Sequence, residues 1–572
     1  MSEWKLQKLG DVAEIVGGGT PSSKKDEYYG GNVPWITPKD LSGYSYKRIS
    51  KGSRNITQIG LEKSSAKLLP KNSVLFTSRA PIGYVAIADA ELATNQGFKS
   101  LVLKGKQDPD FYYYLLKHNV DVFESRASGS TFKEVSGKTV KETELLIPDY
   151  DTQLSISGIL NPIDKKIELN TQTNQTLEQI AQAIFKSWFV DFEPVKAKMA
   201  VLEAGLPAPV RISGGPREGI FCTYVIECDD GSYYIGQTDN LKRRWREHLS
   251  GKGAQWTKTH KPLQIAHFEE NSSREEAAAK EKNWKTTSGR RELKKLIASG
   301  AARQAGGTAE QAELAAMSVI SAKDEAALKQ LQAEQPDAYA ELAQTAALFP
   351  SALVDSELGE IPEGWEVVKT EQLAETIAMG PFGSNIKVST FVDSGVPIIS
   401  GHHLKETLVT EGNHNFITEE HATKLKNSCV TRGDIVFTHA GNIGQVSLIP
   451  ESTIYDKYVI SQRQFYLRTN RKKASPYFLV FFFKSNYGQH ILLSNASQVG
   501  VPSIARPSSH LKNIELIKPS FELMEKFELT CKSLLNGVVA NRKESQELSE
   551  IRDTLLPKLL AGHLPITNTE VA

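Results

Sequence analysis

The sequence is poor in cysteine, in net charge and in long apolar runs. Four of its 572 residues are cysteine (Cys222, Cys228, Cys429 and Cys531), and they form no close pair suited to zinc. So sparse a set excludes a disulfide scaffold and fits a reducing cytoplasm. Sixty-eight Lys and Arg against 67 Asp and Glu leave a formal charge of +1. That balance excludes a polybasic tail or a chain basic throughout, and it confines any nucleic-acid binding to local patches. No run approaches the roughly 18 to 20 apolar residues that span a bilayer, and the opening MSEWKLQKLG lacks the apolar stretch of a signal peptide. The expectation is a soluble, cytoplasmic protein with no membrane partner, and at roughly 150 residues per domain the length implies three to four domains.

What the chain has is an internal repeat. Trp4 with Leu9 and VAEI (Val12 to Ile15) returns as Trp365 with LAETI (Leu373 to Ile377), and VPWI (Val33 to Ile36) returns as VPII (Val396 to Ile399). NSVLFTSRAPIGYVAI (Asn72 to Ile87) returns as GDIVFTHAGNIGQVSL (Gly433 to Leu448). An aromatic segment follows in each copy, near Phe111 and near Tyr477, and then a short strand, ELLIP against ELIKP. Val, Ile, Phe and Tyr runs broken by Gly, Pro and Asn predict short strands and turns, with a helix at the aromatic segment.

Each copy leads into a long helical pattern. Leu154, Leu160, Ile163, Ile167, Leu177, Ile184, Phe185 and Trp188 fall at spacings of three, four and seven, and Phe527, Leu534, Leu535, Val538, Leu548, Leu555 and Leu556 repeat the stripe. Each stripe needs an apolar partner. Pairing with the other gives an antiparallel coiled coil with a globular domain at each end, and Asn170 and Asn541 help to fix its register. The alternative is that each helix packs on its own domain.

The order of Trp4, SRAPIGYVAI (Ser78 to Ile87), TNQGF (Thr94 to Phe98), GST (Gly129 to Thr131) and FKSWFVDFEPV (Phe185 to Val195) resembles the specificity subunit of type I restriction-modification systems. IRDTLLPKLLAG (Ile551 to Gly562) resembles that family's C-terminal ending, and the likeness covers roughly 1 to 200 and 308 to 566. It implies a DNA-reading adaptor. Two target-recognition domains would each read one half of a split site in double-stranded DNA, with the helices between them as a ruler. Its partners would be two modification (methyltransferase) subunits, which bring S-adenosylmethionine, and restriction subunits, which bring ATP. Two similar but non-identical domains suit two different half-sites, whereas identical subunits read a palindrome. Ser78, Arg79, Asn95, Gln96, Ser130, Thr131 and Lys133 in the first copy are polar or cationic residues of Gly-rich loops. With Thr438, His439, Gln462, Arg463, Gln498 and Arg506 in the second, they are the candidates for phosphate and base contacts. The alternative is that they cap backbone groups in turns.

A block of roughly one hundred residues has no repeat partner. It follows a Pro and Gly linker, LPAPVRISGGPREG (Leu206 to Gly219), and opens with an alternating strand, FCTYVIEC, a DDGS turn and a second strand, YYIGQT, which predict a hairpin. The helix NLKRRWREHL places Arg244 and His248 four apart on one face, and a further helix carries Glu281 and Trp284. With its SGKGAxxT loop (Ser250 to Thr257), the block resembles the GIY-YIG nuclease domain, especially small stand-alone members. The resemblance places Tyr224, Tyr234, Arg244, His248 and Glu281 at the catalytic positions, with Glu281 as the ligand of Mg²⁺ or Mn²⁺. The first motif departs from the family pattern, reading Cys222, Thr223, Tyr224. Lys242, Arg243, Arg244, Arg246, Lys252, Lys258 and Lys261 against the single Glu247 make a local basic patch.

The expected fold class is therefore α/β: two α/β target-recognition domains joined by two long antiparallel coiled-coil helices, plus a small inserted α/β domain. The expected boundaries are 1–150, a helix over 151–200, a linker over 206–219, the insert over 220–300, an Ala-rich helical connector over 301–350, 351–520 and a helix over 521–566. A rival reading makes the chain a self-contained site-directed nuclease that works without methyltransferase partners. A third makes the insert a passenger.

Overall fold

The computed structural model describes residues 4–129, 133–204, 221–299, 308–497 and 500–564. The chain divides into two units, one of residues 1–176 with 537–572 and one of residues 177–536.

In the first unit, Lys5–Lys8 pairs antiparallel with Glu144–Ile147. A five-stranded sheet runs in the order Ala13–Gly17, Lys99–Leu103, Val74–Ser78, Ile82–Ala88, Arg48–Ile49. A second sheet runs Arg54–Ile56, Tyr29–Ile36, Leu92–Thr94, Leu68–Leu69, its middle pair parallel. The central strand VLFTS is buried at every position, which is why it reads as a run instead of an alternation. The aromatic segment is a helix, Pro109–His118, started by Asp108, whose carboxylate accepts from the amides of Asp110 and Phe111. Its Phe111, Tyr112 and Leu116 pack with Ile156 and Leu160 of the long helix Tyr150–Phe189.

The second unit repeats this plan. Glu366–Lys369 pairs with Glu515–Lys518, and one sheet runs Ala374–Met379, Gln464–Thr469, Asp434–Thr438, Val446–Leu448. The other runs Phe416–Ile417, Val396–Ile399, Tyr458–Ile460, Cys429–Val430, again with a parallel middle pair. Ser475 caps the aromatic helix Pro476–Lys484, of which Pro476 through Phe483 are all buried.

Each unit is completed by the end of the helix that begins in the other repeat. In the first, Leu556, Leu559 and Leu560 of helix Phe521–Leu560 join the core around Phe111 and Leu116. In the second, Phe185 stacks on Phe481 and meets Phe478 and Phe527, while Trp188 meets Phe349 and Phe527. Within the first unit the two long helices run antiparallel. Asp164 pairs with Arg552 at 2.9 Å, and Asn174 Oδ1 accepts from Asn541 Nδ2 at 2.9 Å. Asn170 Nδ2 donates to Glu544 Oε2 at 2.8 Å and to Ser545 Oγ at 3.2 Å. A buried asparagine so engaged penalises any slipped register.

The first long helix is shorter than 151–200 suggests. It stops at Phe189, the chain turns with Phe192 at a positive φ of 54°, and a separate helix Glu193–Ala204 follows. That helix packs on Ala309–Ser321, where buried Lys198 donates to Glu313 and to the Phe349 carbonyl, both at 2.7 Å. The Ala-rich connector is three helices, Ala309–Ser321, Glu325–Glu334 and Pro336–Ala347, closed around Ala316, Met317, Leu328 and Ala346.

The insert is a three-stranded antiparallel sheet with Phe221–Cys228 between Tyr233–Thr238 and Pro262–Asn271; the third strand is one that the sequence reading did not anticipate. Alternation along the central strand builds two cores. Tyr224 and Ile226 pack with Leu241 and Trp245, whereas Val225 packs with Trp284, Leu293 and Ile297.

Replacing Phe185 by Ala removes a ring wholly enclosed by aromatic neighbours, a change that costs about 3–5 kcal/mol. Denaturant unfolding followed by tryptophan fluorescence should show that loss in the second unit, which holds Trp188 and Trp365. An unchanged midpoint would contradict the packing.

Candidate functional site

In the insert, the strands and the first helix bring four of the five sequence-predicted catalytic side chains together. Arg244 and His248, one turn apart on helix Leu241–Leu249, both reach the hydroxyl of Tyr224 on the central strand. Arg244 Nε donates to it at 3.2 Å, and His248 Nε2 lies 2.9 Å away. Tyr234, on the neighbouring edge strand, sets its ring 4.9 Å from that of His248 and 6.2 Å from that of Tyr224.

A residue the sequence reading gave no role decides the protons. Buried Thr257 sits 2.6 Å from His248 Nδ1 and donates its hydroxyl to the Ala254 carbonyl at 3.0 Å. A carbonyl can only accept, so both contacts are satisfied together when the single Thr257 proton goes there and its oxygen accepts from His248 Nδ1. Burial, reinforced by the Arg244 charge, pushes His248 down to about 4, so it is neutral near pH 7 and carries one ring proton. That proton is on Nδ1, which leaves Nε2 to accept from the Tyr224 hydroxyl. The result is one directed row of donors, Arg244 to Tyr224 to His248 to Thr257 to a backbone carbonyl. Burial raises the Tyr224 hydroxyl well above the usual phenol range.

Two glycines make room for this row. A Cβ on Gly236, the glycine of YIG, would lie 2.7 Å from the Tyr224 hydroxyl, and one on Gly253 would lie 2.4 Å from His248 Nδ1. Either would force the ring to move. The SGKGAxxT loop therefore serves through Gly253 and Thr257, which hold the imidazole.

Glu281 is not among the groups gathered around Tyr224. It sits on helix Arg274–Trp284, which packs on both strands of the hairpin, and its carboxylate accepts from Lys285 at 2.5 Å. Among the described residues no cluster of three or more His, Cys, Asp or Glu could enclose a metal. A lone carboxylate fits Mg²⁺ or Mn²⁺, hard ions that take one or two carboxylates and draw the rest of their shell from water and phosphate oxygens. Arg244 is itself engaged by Glu247 Oε2 at 2.6 Å, a half-buried pair in which a phosphate could replace the carboxylate.

In each repeat the loops that carry the candidate DNA contacts converge. In the first, Ser78 N bonds the Gly97 carbonyl at 2.8 Å, and the Ser78 carbonyl accepts from Val135 N at 3.0 Å. In the second, His439 N bonds the Arg463 carbonyl at 2.9 Å, and Ile504 N bonds the His439 carbonyl at 2.8 Å. Side-chain placement divides the candidates. Ser78 and Thr438 are buried and spend their hydroxyls on Gly97 and Gln445, so as contact candidates they are corrected to braces of the loop cluster. Asn95 accepts from Gly97 N, Gln96 meets Thr20, and His439 donates to the Gln462 carbonyl; burial holds the His439 ring below the usual range. Arg79 pairs with Glu134 at 3.3 Å. Lys133, Gln462, Arg463 and Arg506 are exposed, and no ion pair ties either of these arginines to a carboxylate among the described residues. Ser130, Thr131 and Gln498 lie outside the described residues.

The family described as type I restriction modification DNA specificity domain matches residues 1–179, and the family described as GIY-YIG catalytic domain matches 220–295. The HindI specificity subunit of Haemophilus influenzae is 25% identical over 99% of this chain and all of its own length. The chain is thus similar along its whole length to a type I restriction-modification specificity subunit. The MjaIX specificity subunit of Methanocaldococcus jannaschii is 45% identical over 34% of the chain, which spans 45% of that relative's length. The GIY-YIG insert has its own likeness, 40% identity to a UPF0213 protein of Haloquadratum walsbyi over 75 residues and 82% of that protein. Among the described residues no helix is long and apolar enough to cross a membrane.

The buried His248 ring has a stability consequence. Its folded pKa of about 4 lies below the ordinary value near 6.5, so the unfolded chain takes up the proton first. Stability should fall as pH drops from about 6.5 to about 4, by about 1.4 kcal/mol per unit of pKa difference. A His248→Gln chain should lose less over that window in denaturant titrations. Parallel pH curves for the two chains would count against a neutral, buried His248.

Proposed function

We propose that the chain is the DNA-specificity subunit of a type I restriction-modification complex, each repeat reading one half of a bipartite site in double-stranded DNA. The observation that carries this reading is the convergence of three loops in each repeat, displaying Arg79 in one and Arg463 and Arg506 in the other. Arginine offers a planar fork suited to guanine edges and phosphates. Adenine methylation and cutting belong to partner modification and restriction subunits, which supply S-adenosylmethionine and ATP. The domain organisation that goes with it is two recognition domains near 1–150 and 351–520, paired helices, and an insert near 220–300.

The insert is read as a metal-dependent endonuclease. Bound Mg²⁺ or Mn²⁺, held by Glu281, would polarise a phosphate oxygen. Tyr224 is placed to act as the base. As its oxygen takes a proton from the attacking water, its own proton passes to His248 Nε2, and His248 keeps its Nδ1 proton on Thr257; the new bond from water to phosphorus replaces the phosphorus–oxygen bond to the departing strand end, whose oxygen takes a proton from solvent. Transfer in one motion avoids a free tyrosinate, which burial disfavours. Arg244, released from Glu247, offers its guanidinium to the phosphate as charge builds there.

Two measurements test these readings. Arg79→Ala and Arg463→Ala should each weaken binding to the cognate site by about 1–3 kcal/mol, with a smaller loss on random duplex. Equal losses on both would reduce these side chains to phosphate contacts, and no loss would remove them from the interface. The purified chain with Mg²⁺ or Mn²⁺ should nick or cut DNA, and Glu281→Ala and Tyr224→Phe should each abolish the activity. Equal cleavage by wild type and variants would refute the assignment.

A further inference from the structure

A groove of about 790 Å³ runs beside the edge strand Tyr233–Thr238 of the insert. Its floor is Tyr233, Tyr234 and Trp256, and its cationic wall is Arg290, Arg291 and Lys294. All three cations are exposed, and no ion pair joins them to a carboxylate among the described residues. Trp256 is held at Ser232 by its indole N–H and stacks one face on His260 at 4.2 Å, yet it remains 46% exposed. Its exposed ring lies beside Tyr233 and Tyr234 in the same groove, so the open surface is a continuous aromatic strip. Because Tyr233–Thr238 is an outer strand, its far side also presents unpaired backbone donors and acceptors. Two residues connect the groove with the nuclease-like centre. Tyr234 lines both, and Lys285 lines the groove while bonding Glu281.

We propose that this groove binds single-stranded DNA, with an unpaired base on the free face of Trp256 and the phosphates along Arg290, Arg291 and Lys294. Cations alone would suit any nucleic acid. The open indole face selects among them, because bases within a duplex are already stacked on their neighbours and only an unpaired base can lie on it. The proposal rests on the reading of the insert as a domain that acts on nucleic acid, and it gives that domain a substrate class different from the duplex read by the two repeats.

The test uses the full-length protein with a short fluorescent oligonucleotide of mixed sequence, as a single strand and as a duplex without a recognition site, in buffer containing EDTA. Trp256→Ala should weaken single-strand binding about tenfold and leave duplex binding unchanged, while Trp256→Phe retains most of the affinity. Replacing Arg290, Arg291 and Lys294 together by Gln should lower the salt slope for the single strand by about 2. Unchanged single-strand affinity in Trp256→Ala, or equal weakening of single strand and duplex, would overturn the proposal, as would an unaltered salt slope. Intact single-strand binding by the wild-type chain in EDTA, with no cleavage of that strand once Mg²⁺ is added, would refute the nuclease reading alone.

Discussion

The packing of each helix end into a core it did not begin in is the constraint on which the rest of the structure depends. Phe185 and Trp188 enter a cage made by Phe349, Phe478, Phe481 and Phe527, and Leu556, Leu559 and Leu560 close the core around Phe111 and Leu116. Neither recognition fold is finished without a segment supplied by the far side of the sequence. The polar contacts of Asn170, Asn174 and Asn541 add direction to this apolar attraction, which alone would tolerate sliding. Fixing which residues meet also fixes the register of the two helices within the first unit.

The insert obeys a different economy. Its sheet is covered on both faces, and its chemistry depends on missing side chains as much as on those present. Gly236 and Gly253 leave the space in which Tyr224 and His248 approach one another, and Thr257 converts a symmetric-looking imidazole into one with a defined acceptor. A neutral histidine with a fixed tautomer is more useful next to a buried phenol than a charged one would be, because the charge would compete with Arg244 for the same oxygen.

Much of this was legible in the residues. The repeat is visible because the same apolar words recur in order, and the sheets of the two copies match except at Arg48–Ile49, whose counterpart is only a bridge between Leu408 and Leu448. The hairpin of the insert coincides with the strands read from FCTYVIEC and YYIGQT. Pro262–Asn271 was not legible, since Gln264, His267, Glu269 and Glu270 break up its pattern. The stop at Phe189 was hidden because FKSWFVDFEPV stays apolar across it, and only the backbone at Phe192 reveals the turn. Ser78 and Thr438 looked available because they border Gly-rich loops, but each ends a central strand and is buried there. The role of Thr257 depends on a contact nine residues away across a turn, with a partner whose charge state is set by burial.

The helical hairpin beneath the insert bears on how such a chain is inherited. Glu193–Ala204 and Ala309–Ser321 pack on each other, so the insert begins and ends between two helices already in contact. Closing a loop of about one hundred residues in place of about five costs about 2–3 kcal/mol, because the entropy grows only with the logarithm of length. A gene segment exchanged at this junction would thus be nearly invisible to the host fold. Selection could then act on the acquired domain for its own chemistry, with the reading of DNA left intact from one generation to the next.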